Sequence, residues 1–396
     1  MKISFKTTCQ FSLTTLAFGM LSMHAQASGY YLPEQSTNAI GLAAAYVANA
    51  HGADAAFYNP ANLVFEDDKR ASLEMDLLWV HSPEIDFVGN GGVAGNNSAS
   101  EQDVIVPNFF YISPDMGNNW RFGLSTYSTG LKTDWTSGFQ QIVAEKADIK
   151  TTEIAPSASY IINENLSVAA GVRVLYTDAE LKTAGFNLTG DGWGFGYNLA
   201  VTVKPTEQLT LSSTYRSRIS TELEGDALVT GIGTFGGSAD FLLPSNFALA
   251  GAYDFGNTVL ELTYNRLGWS DYDSLDIILN NGNVLASSAR NWNDTNTYRI
   301  GLTHHFSPKL DLMAGIAFDE TPVPDSTVSF DILDNDFTIY GIGAKYRLDD
   351  DIQLGAGLLY AAGKGNAFSH NNYGVPVSGS YERDLYVYNF SLTYSF

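Results

Sequence analysis

Past residue 27 this 396-residue chain has no cysteine, since its single one is Cys9. Disulfides, thiol nucleophiles and cysteine metal sites are therefore excluded from the mature part. Histidine is scarce: there are six, and the adjacent His304 and His305 would point to opposite faces of a strand, so no serine-hydrolase constellation can be assembled. Basic residues are few as well. Removing Lys2 and Lys6 from the 21 leaves 19 against 43 acids, a net charge of −24, which argues against nucleic acid as a partner. Also missing after Ser28 is any run of about 18 apolar residues, so no transmembrane helix is expected. That absence does not imply a soluble protein. A membrane-spanning barrel strand alternates lipid-facing with lumen-facing residues and hides its hydrophobicity from an average. The mean hydropathy of −0.06, with 22 Tyr, 23 Phe and 37 Gly, fits such a chain.

Residues 1–27 read as a signal peptide. Lys2 and Lys6 precede the short apolar run FSLTTLAFGMLSM, and Ala25-Gln26-Ala27 fits a small-x-small cleavage site before Ser28. Export to the periplasm of a bacterium follows.

The last eleven residues, YVYNFSLTYSF, put Tyr386, Tyr388, Phe390, Leu392, Tyr394 and Phe396 on one face and the polar residues between them on the other. A period of two is a strand. The same alternation recurs in LSVAAGVRVLY (166–176) and LTLSSTYRSRI (209–219), and in fourteen stretches altogether between 71 and 396. Tight turns (SPDMGNN, NEN, KPTEQ, FGN, SPK, LDDD) alternate with connections of roughly 15 to 25 residues. Segregated loop lengths predict an all-β chain, a 14-stranded antiparallel transmembrane β-barrel over 69–396 with its short turns facing the periplasm. Residues 28–68 do not alternate; they are rich in small side chains, with a helix expected near 38–50 ended by Gly52. Because fourteen strands enclose a lumen too wide for side chains to fill, this segment reads as a hatch inside the barrel.

In order along the chain, SGYYLPEQS, FYNPANL, GWGFGYNLA followed by TYRSRI, LPSNFALAGAY, GIAFDETPVPD and the aromatic C-terminus resemble the FadL family of outer-membrane long-chain fatty acid transporters, which also takes in aromatic hydrocarbon transporters. The resemblance implies a passive route through a monomer. A hydrophobic ligand is captured at extracellular loops, bound near the mature N-terminus and released sideways at a kinked third strand. Long-chain fatty acid or a similar molecule, outer-membrane lipid and lipopolysaccharide would be the partners, with no cofactor. An aromatic hydrocarbon channel is the alternative within transport; an outer-membrane lipolytic enzyme or an adhesin barrel are the alternatives outside it. GWGFGYN lies in a strand with no following helix and is not a nucleotide loop. LDDD (348–351) reads as a solvated turn, so no metal is expected.

Tyr30 occupies the family's aromatic position just after the mature start, implying a ligand-pocket role against the simpler one of packing the hatch. Asn59, Pro60 and Ala61 form a rigid turn expected to anchor the hatch to the wall. On the third strand Tyr127, Ser128, Thr129 and Gly130 are small or polar enough to permit a kink, which places the lateral exit there. Alternation sends Arg173, Arg216, Arg218, Arg299, Lys345 and Arg347 inward, mostly toward lumen acids such as Glu261, Asp311 or Asp319. The family's pocket arginine lies in a fifth-strand motif not kept in YTDAELKTAGF, where Lys182 falls nearest; Lys182 and Arg216 are the candidate partners for a carboxylate. Finally, the apolar stretch ALVTGIGTFGGSADFLL, with Leu228, Val229, Ile232, Phe235 and Phe241, is the expected extracellular groove.

Overall fold

The computed structural model describes residues 29–66 and 68–396; the expected signal peptide lies outside the described residues. Each alternating stretch forms a wall strand: β1 (Ser72–Ser82), β2 (Gln102–Ile112), β3 (Trp120–Asp134), β4 (Lys146–Asn163), β5 (Leu166–Lys182), β6 (Phe186–Val203), β7 (Leu209–Arg216, resuming at Ile219–Val229), β8 (Gly233–Leu243, resuming at Ser245–Asp254), β9 (Thr258–Gly268, resuming at Ser274–Leu279), β10 (Val284–Ala289, resuming at Thr295–Ser307), β11 (Leu310–Asp319), β12 (Phe337–Arg347), β13 (Ile352–Gly363) and β14 (Leu385–Ser395). Neighbours pair antiparallel all the way round, and β1 closes the ring on β14 from Ser72↔Ser395 to His81↔Tyr386. Full closure satisfies the backbone without an edge, as lipid requires. On β14, Phe390, Leu392 and Tyr394 are exposed outward, whereas Asn389 and Ser391 are buried in the lumen. The period of two thus separates a lipid face from a polar interior.

Several of the long connections are strands rather than loops. β5 and β6 continue to Lys182 and from Phe186, and the 233–243 stretch pairs with 219–229 as a projecting hairpin. A second, four-stranded sheet of residues 85–92, 97–99, 366–370 and 377–381 covers the mouth, beside helix Gly138–Ala144 and the inward-folded segment 320–336. Phe330 of that segment packs edge-on against Phe87 and Trp135.

Residues 29–66 fill the lumen. Helix α1 (Thr37–Gly41) starts at Ser36, whose hydroxyl accepts from Ala39 N–H. It ends far short of residue 50 because Ala43 and Ala44 turn left-handed, at φ 47° and 56°. The wall dictates this path: Gly315 and Gly341 face inward where a Cβ would collide with the Leu42 and Ile40 carbonyls, so the hatch backbone lies directly on the strands. Past the turn, the amides of Val47, Ala48 and Asn49 converge on the Glu261 carboxylate at 2.6 to 2.9 Å.

The lumen cations find partners other than those expected. Arg299 pairs with Glu34 of the hatch at 2.7 Å, and Lys345 pairs with Glu74 at 2.8 Å. Glu261 serves the hatch amides, Asp319 accepts from Thr297, and Asp311 faces His305. Arg218 is not in the lumen: β7 breaks at Ser217–Arg218, alternation lapses, and the side chain meets Asp271 outside at 2.6 Å. Arg347, at the periplasmic end, is exposed.

Candidate functional site

At the extracellular end an apolar groove of about 350 Å³ opens between helix Gly138–Ala144 and the projecting hairpins. Ile142, Val143, Leu181, Phe186, Leu275 and Ile277 line its walls, and Arg290 with Asp331 forms its floor. That volume is the size of a small-ligand site. Arg290 is 1% exposed and holds Asp331 through both terminal nitrogens, with a further bond to Ser329. Burial alone would raise the Asp331 carboxyl, but the guanidinium beside it holds it below the usual carboxylate range. The Arg290 Nε has no protein partner.

Leu181, Leu275, Ile277 and Asp331 also border a narrower apolar cleft of about 60 Å³ toward the barrel interior. Ile149 and Phe241 in turn connect that cleft to a space between Tyr30 and the third strand, lined by Thr129, Gly130, Leu131 and Thr151. There the path shuts. Tyr30 is 3% exposed, edge-on to Trp269 at 4.8 Å, 5.0 Å from Phe241 and hydrogen-bonded to the Leu242 carbonyl. The mouth segment also holds this tail, since Asp334 accepts from Gly29 N–H at 2.9 Å and from the Thr321 hydroxyl at 2.7 Å. Burial pushes the Asp334 carboxyl up to about 7.

Beneath Tyr30 lies a charged cluster. Glu153 takes two bonds from Arg173 (3.0 and 2.7 Å), one from the Tyr127 hydroxyl (2.8 Å) and one from Arg216. Two guanidiniums share one carboxylate. Arg216 stacks on Phe57 at 4.5 Å, and its Nε and Nη1 have no protein partner, as is true of both polar atoms of the Asn198 amide on the adjoining strand.

Tyr127 marks the edge of a seam. β3 pairs with β4 over its whole length, from Trp120↔Tyr160 to Asp134↔Lys146. With β2, however, it pairs at four positions only, from Ile112↔Gly123 to Phe109↔Thr126. Beyond these the β2 chain has Pro107, which brings no N–H, and Asn108, whose Oδ1 accepts from Ser128 N–H while its Nδ2 donates to Gln35 of the hatch. Tyr127 and Thr129 face inward and are buried; Ser128 and Gly130 alternate to the outer face.

Of the residues singled out in the sequence, Tyr30, Thr129, Gly130 and Phe241 come together along this path, and Tyr127 and Arg216, bonded to each other, lie just below it. Lys182 stands at the rim, 43% exposed, with its ammonium on Glu145 at 2.7 Å. Leu228, Ile232 and Phe235 are exposed at the projecting hairpin tip, and Val229 pairs in register with Phe186 of the groove wall. Asn59 donates to Thr202 of the wall and Val47 of the hatch, while the Ala61 carbonyl accepts from Ser167, so the Asn-Pro-Ala turn is bonded to the barrel. The groove floor escaped sequence reasoning. Arg290 stands where β10 is interrupted, outside any alternating stretch, and Asp331 lies 41 residues further on in a non-repetitive segment. Among the described residues no cluster of His, Asp and Glu is arranged to hold a metal.

Residues 18–396 match the family described as "Outer membrane protein transport protein (OMPP1/FadL/TodX)". Over 457 residues, covering all of both chains, the protein is 24% identical to the long-chain fatty acid transport protein of Escherichia coli strain CFT073. Over 426 residues, 90% of this chain and 91% of the relative, it is 24% identical to outer membrane protein P1 of Haemophilus influenzae. Its fold matches that of a Pseudomonas aeruginosa FadL homologue with TM-score 0.85 at 19% identity, covering 93% of this chain and 100% of that one. With the P. putida toluene transporter TodX the TM-score is 0.71 at 17% identity, covering 94% and 99%. A closed fourteen-stranded wall, an internal hatch and a match along almost the whole sequence agree: the chain belongs to the FadL family of outer-membrane transporters of hydrophobic substrates.

Proposed function

We propose that the protein carries long-chain fatty acids passively across the outer membrane, from the groove past Tyr30 and out sideways between β2 and β3. The carrying observation is the succession of apolar spaces that runs from the groove, with a buried arginine at its floor, to Tyr30, where it is closed beside the third strand. Each buried methylene contributes about 0.8 kcal/mol, so a chain of about sixteen gains on the order of 13 kcal/mol on leaving water. A carboxylate that follows it requires a cation or donors. Lys182 at the rim, Arg290 on the groove floor and Arg216 below Tyr30 supply one at each level. Tyr30 is the stopper between groove and exit, Asn59, Pro60 and Ala61 anchor the hatch, and Tyr127, Ser128, Thr129 and Gly130 border the exit. The relatives named as long-chain fatty acid transport proteins favour the same ligand class.

A second reading, an aromatic hydrocarbon channel, draws on one observation: Arg290 is already neutralised by Asp331, so the path presents little free charge to a neutral ligand. Uptake of labelled oleate and labelled toluene by cells lacking their own hydrophobic-compound channels separates the two. Oleate uptake that requires the protein, and that falls in Arg290→Gln, is the expected result. Toluene uptake alone would replace the fatty acid reading with the hydrocarbon one.

A further inference from the structure

On the outer wall beside the seam stand two lysines, Lys132 and Lys150, that share one nearby carboxylate, Asp148 of β4. Among the described residues Lys132 of β3 is in no ion pair although Asp148 is its register partner, and Lys150 of β4 reaches only that same Asp148, at 3.8 Å, a carboxylate that Lys146 also holds at 3.4 Å. This is unusual in a chain with 43 acids and 21 basic residues. On the same extracellular half, Lys146, Lys182, Arg218 and Arg266 each hold a carboxylate at 2.6 to 3.0 Å.

Their position is specific. Alternation on β3 puts Ser128, Gly130 and Lys132 on the outer face of the stretch that has lost its ladder to β2. Lys150 is the register partner of Gly130. Gly130 itself brings no side chain between the Lys150 stem and the seam. Height is given by the neighbouring rings. One step toward the periplasm from Lys150 lies Thr152, in register with Tyr176, which in turn pairs with Trp193 at a ring distance of 4.9 Å. Tyr and Trp on a barrel's outer wall mark the membrane interface, so Lys150 and Lys132 lie at headgroup level.

We propose that Lys132 and Lys150 form an exit-side site for the carboxylate of the departing fatty acid, holding the head at the polar interface while the acyl chain slips between β2 and β3 into the outer leaflet. The site rests on the fatty acid reading. A carboxylate does not follow its chain into hydrocarbon, and lysines at an interface extend their ammonium groups toward it along apolar stems. With Arg290 and Arg216 inside, the two lysines complete a run of cations that ends on the outside of the wall.

The test compares Lys132→Gln/Lys150→Gln and Lys132→Arg/Lys150→Arg with the wild type in cells lacking other such channels, using labelled oleate and the neutral oleyl alcohol. Both side chains face outward, and retained heat-modifiable gel mobility verifies the barrel. The glutamine pair should lower initial oleate uptake about two- to fivefold, the range of a partly exposed charge interaction, leave oleyl alcohol uptake unchanged, and be rescued by the arginine pair. Unchanged oleate uptake, or an equal loss for both compounds, would overturn the site while leaving the fatty acid reading standing. A wild type inert toward oleate would overturn that reading and this site with it. In vesicles of phosphatidylcholine without lipopolysaccharide the effect should persist. An effect confined to membranes containing lipopolysaccharide would assign the lysines to its phosphates and overturn the proposal.

Discussion

Glu261 offers the sharpest test of how the hatch is held. One carboxylate oxygen accepts from Val47 N–H at 2.6 Å, Ala48 N–H at 2.9 Å and the Thr263 hydroxyl at 2.9 Å, and the other accepts from Asn49 N–H at 2.8 Å. All but the half-buried Asn49 is buried, against a small apolar patch of Val47, Ala48, Ala248, Ala250, Ala252 and Val259. In Glu261→Ala three buried donors, the amides of Val47 and Ala48 and the Thr263 hydroxyl, lose their acceptor. At about 1–3 kcal/mol for each buried donor left unsatisfied, the cost is about 3–9 kcal/mol. Glu261→Gln keeps one acceptor oxygen but points an N–H₂ at the rest, so an intermediate loss of about 1–3 kcal/mol is expected. The wall strands keep their ladders in both, so the loss falls on local opening of the hatch. Hydrogen exchange of residues 44–50 should therefore accelerate by about 100-fold or more in the alanine variant. Conductance to small hydrophilic ions in planar bilayers should rise as well, since a vacated fourteen-stranded lumen is an aqueous pore. Amides 47–49 as protected as in the wild type, with unchanged conductance, would refute the claim that this carboxylate tethers the hatch.

Tyr30→Asp places a carboxylate among Phe241, Trp269 and Trp292 and should reduce oleate uptake with the barrel still folded; unchanged uptake would remove Tyr30 from the path. For Asp334 the folded value of about 7 lies above the ordinary 3.8, so docking of the mouth segment favours the protonated acid. Its stabilisation is complete below about pH 4 and drains as pH rises toward 7, by at most about 4 kcal/mol at 1.36 kcal/mol per unit. Asp319 reinforces this shift and Arg383 opposes it. Limited proteolysis of the 29–36 tail should thus quicken between pH 4 and 7 relative to a control substrate, and Asp334→Asn should flatten that rise. Gly341→Val drives a side chain into the Ile40 carbonyl and should destabilise the docked hatch by about 1–3 kcal/mol, read as faster exchange of residues 37–45; no change would mean that the close approach is not required.

The wall was legible because lipid imposes one rule on every strand. Fourteen stretches from 71 to 396 obey it, and the outward Phe390 and inward Asn389 follow from it directly. The hatch obeys no such rule. Its helix stops at Ala43 because of Gly315, Gly341 and Glu261, residues more than 200 positions away that say nothing locally about a turn. Charge partners were hidden for a related reason: Arg216 meets Glu153 across the lumen, a relation set by ring geometry and not by alternation. Arg290 and Asp331 fell outside the periodic stretches altogether. At the third strand the small polar residues were visible, but the ladder's end depends equally on Pro107 and Asn108 of the neighbouring strand.

Of the described segments the hatch is made first, and the strand that closes the ring is made last. Ser72 to His81 pair with Tyr386 to Ser395, and α1 is already bonded to both sides of that join, through Thr37 to Asp76 on β1 and to Asn389 and Ser391 on β14. A hatch in place as the cylinder shuts would hold both edges of the join, and the first residues of the fold would then act as a template on which the closing strand finds its register. A chain lacking residues 29–66 should then differ from the full-length one in how fast it assembles, even where its finished wall is the same.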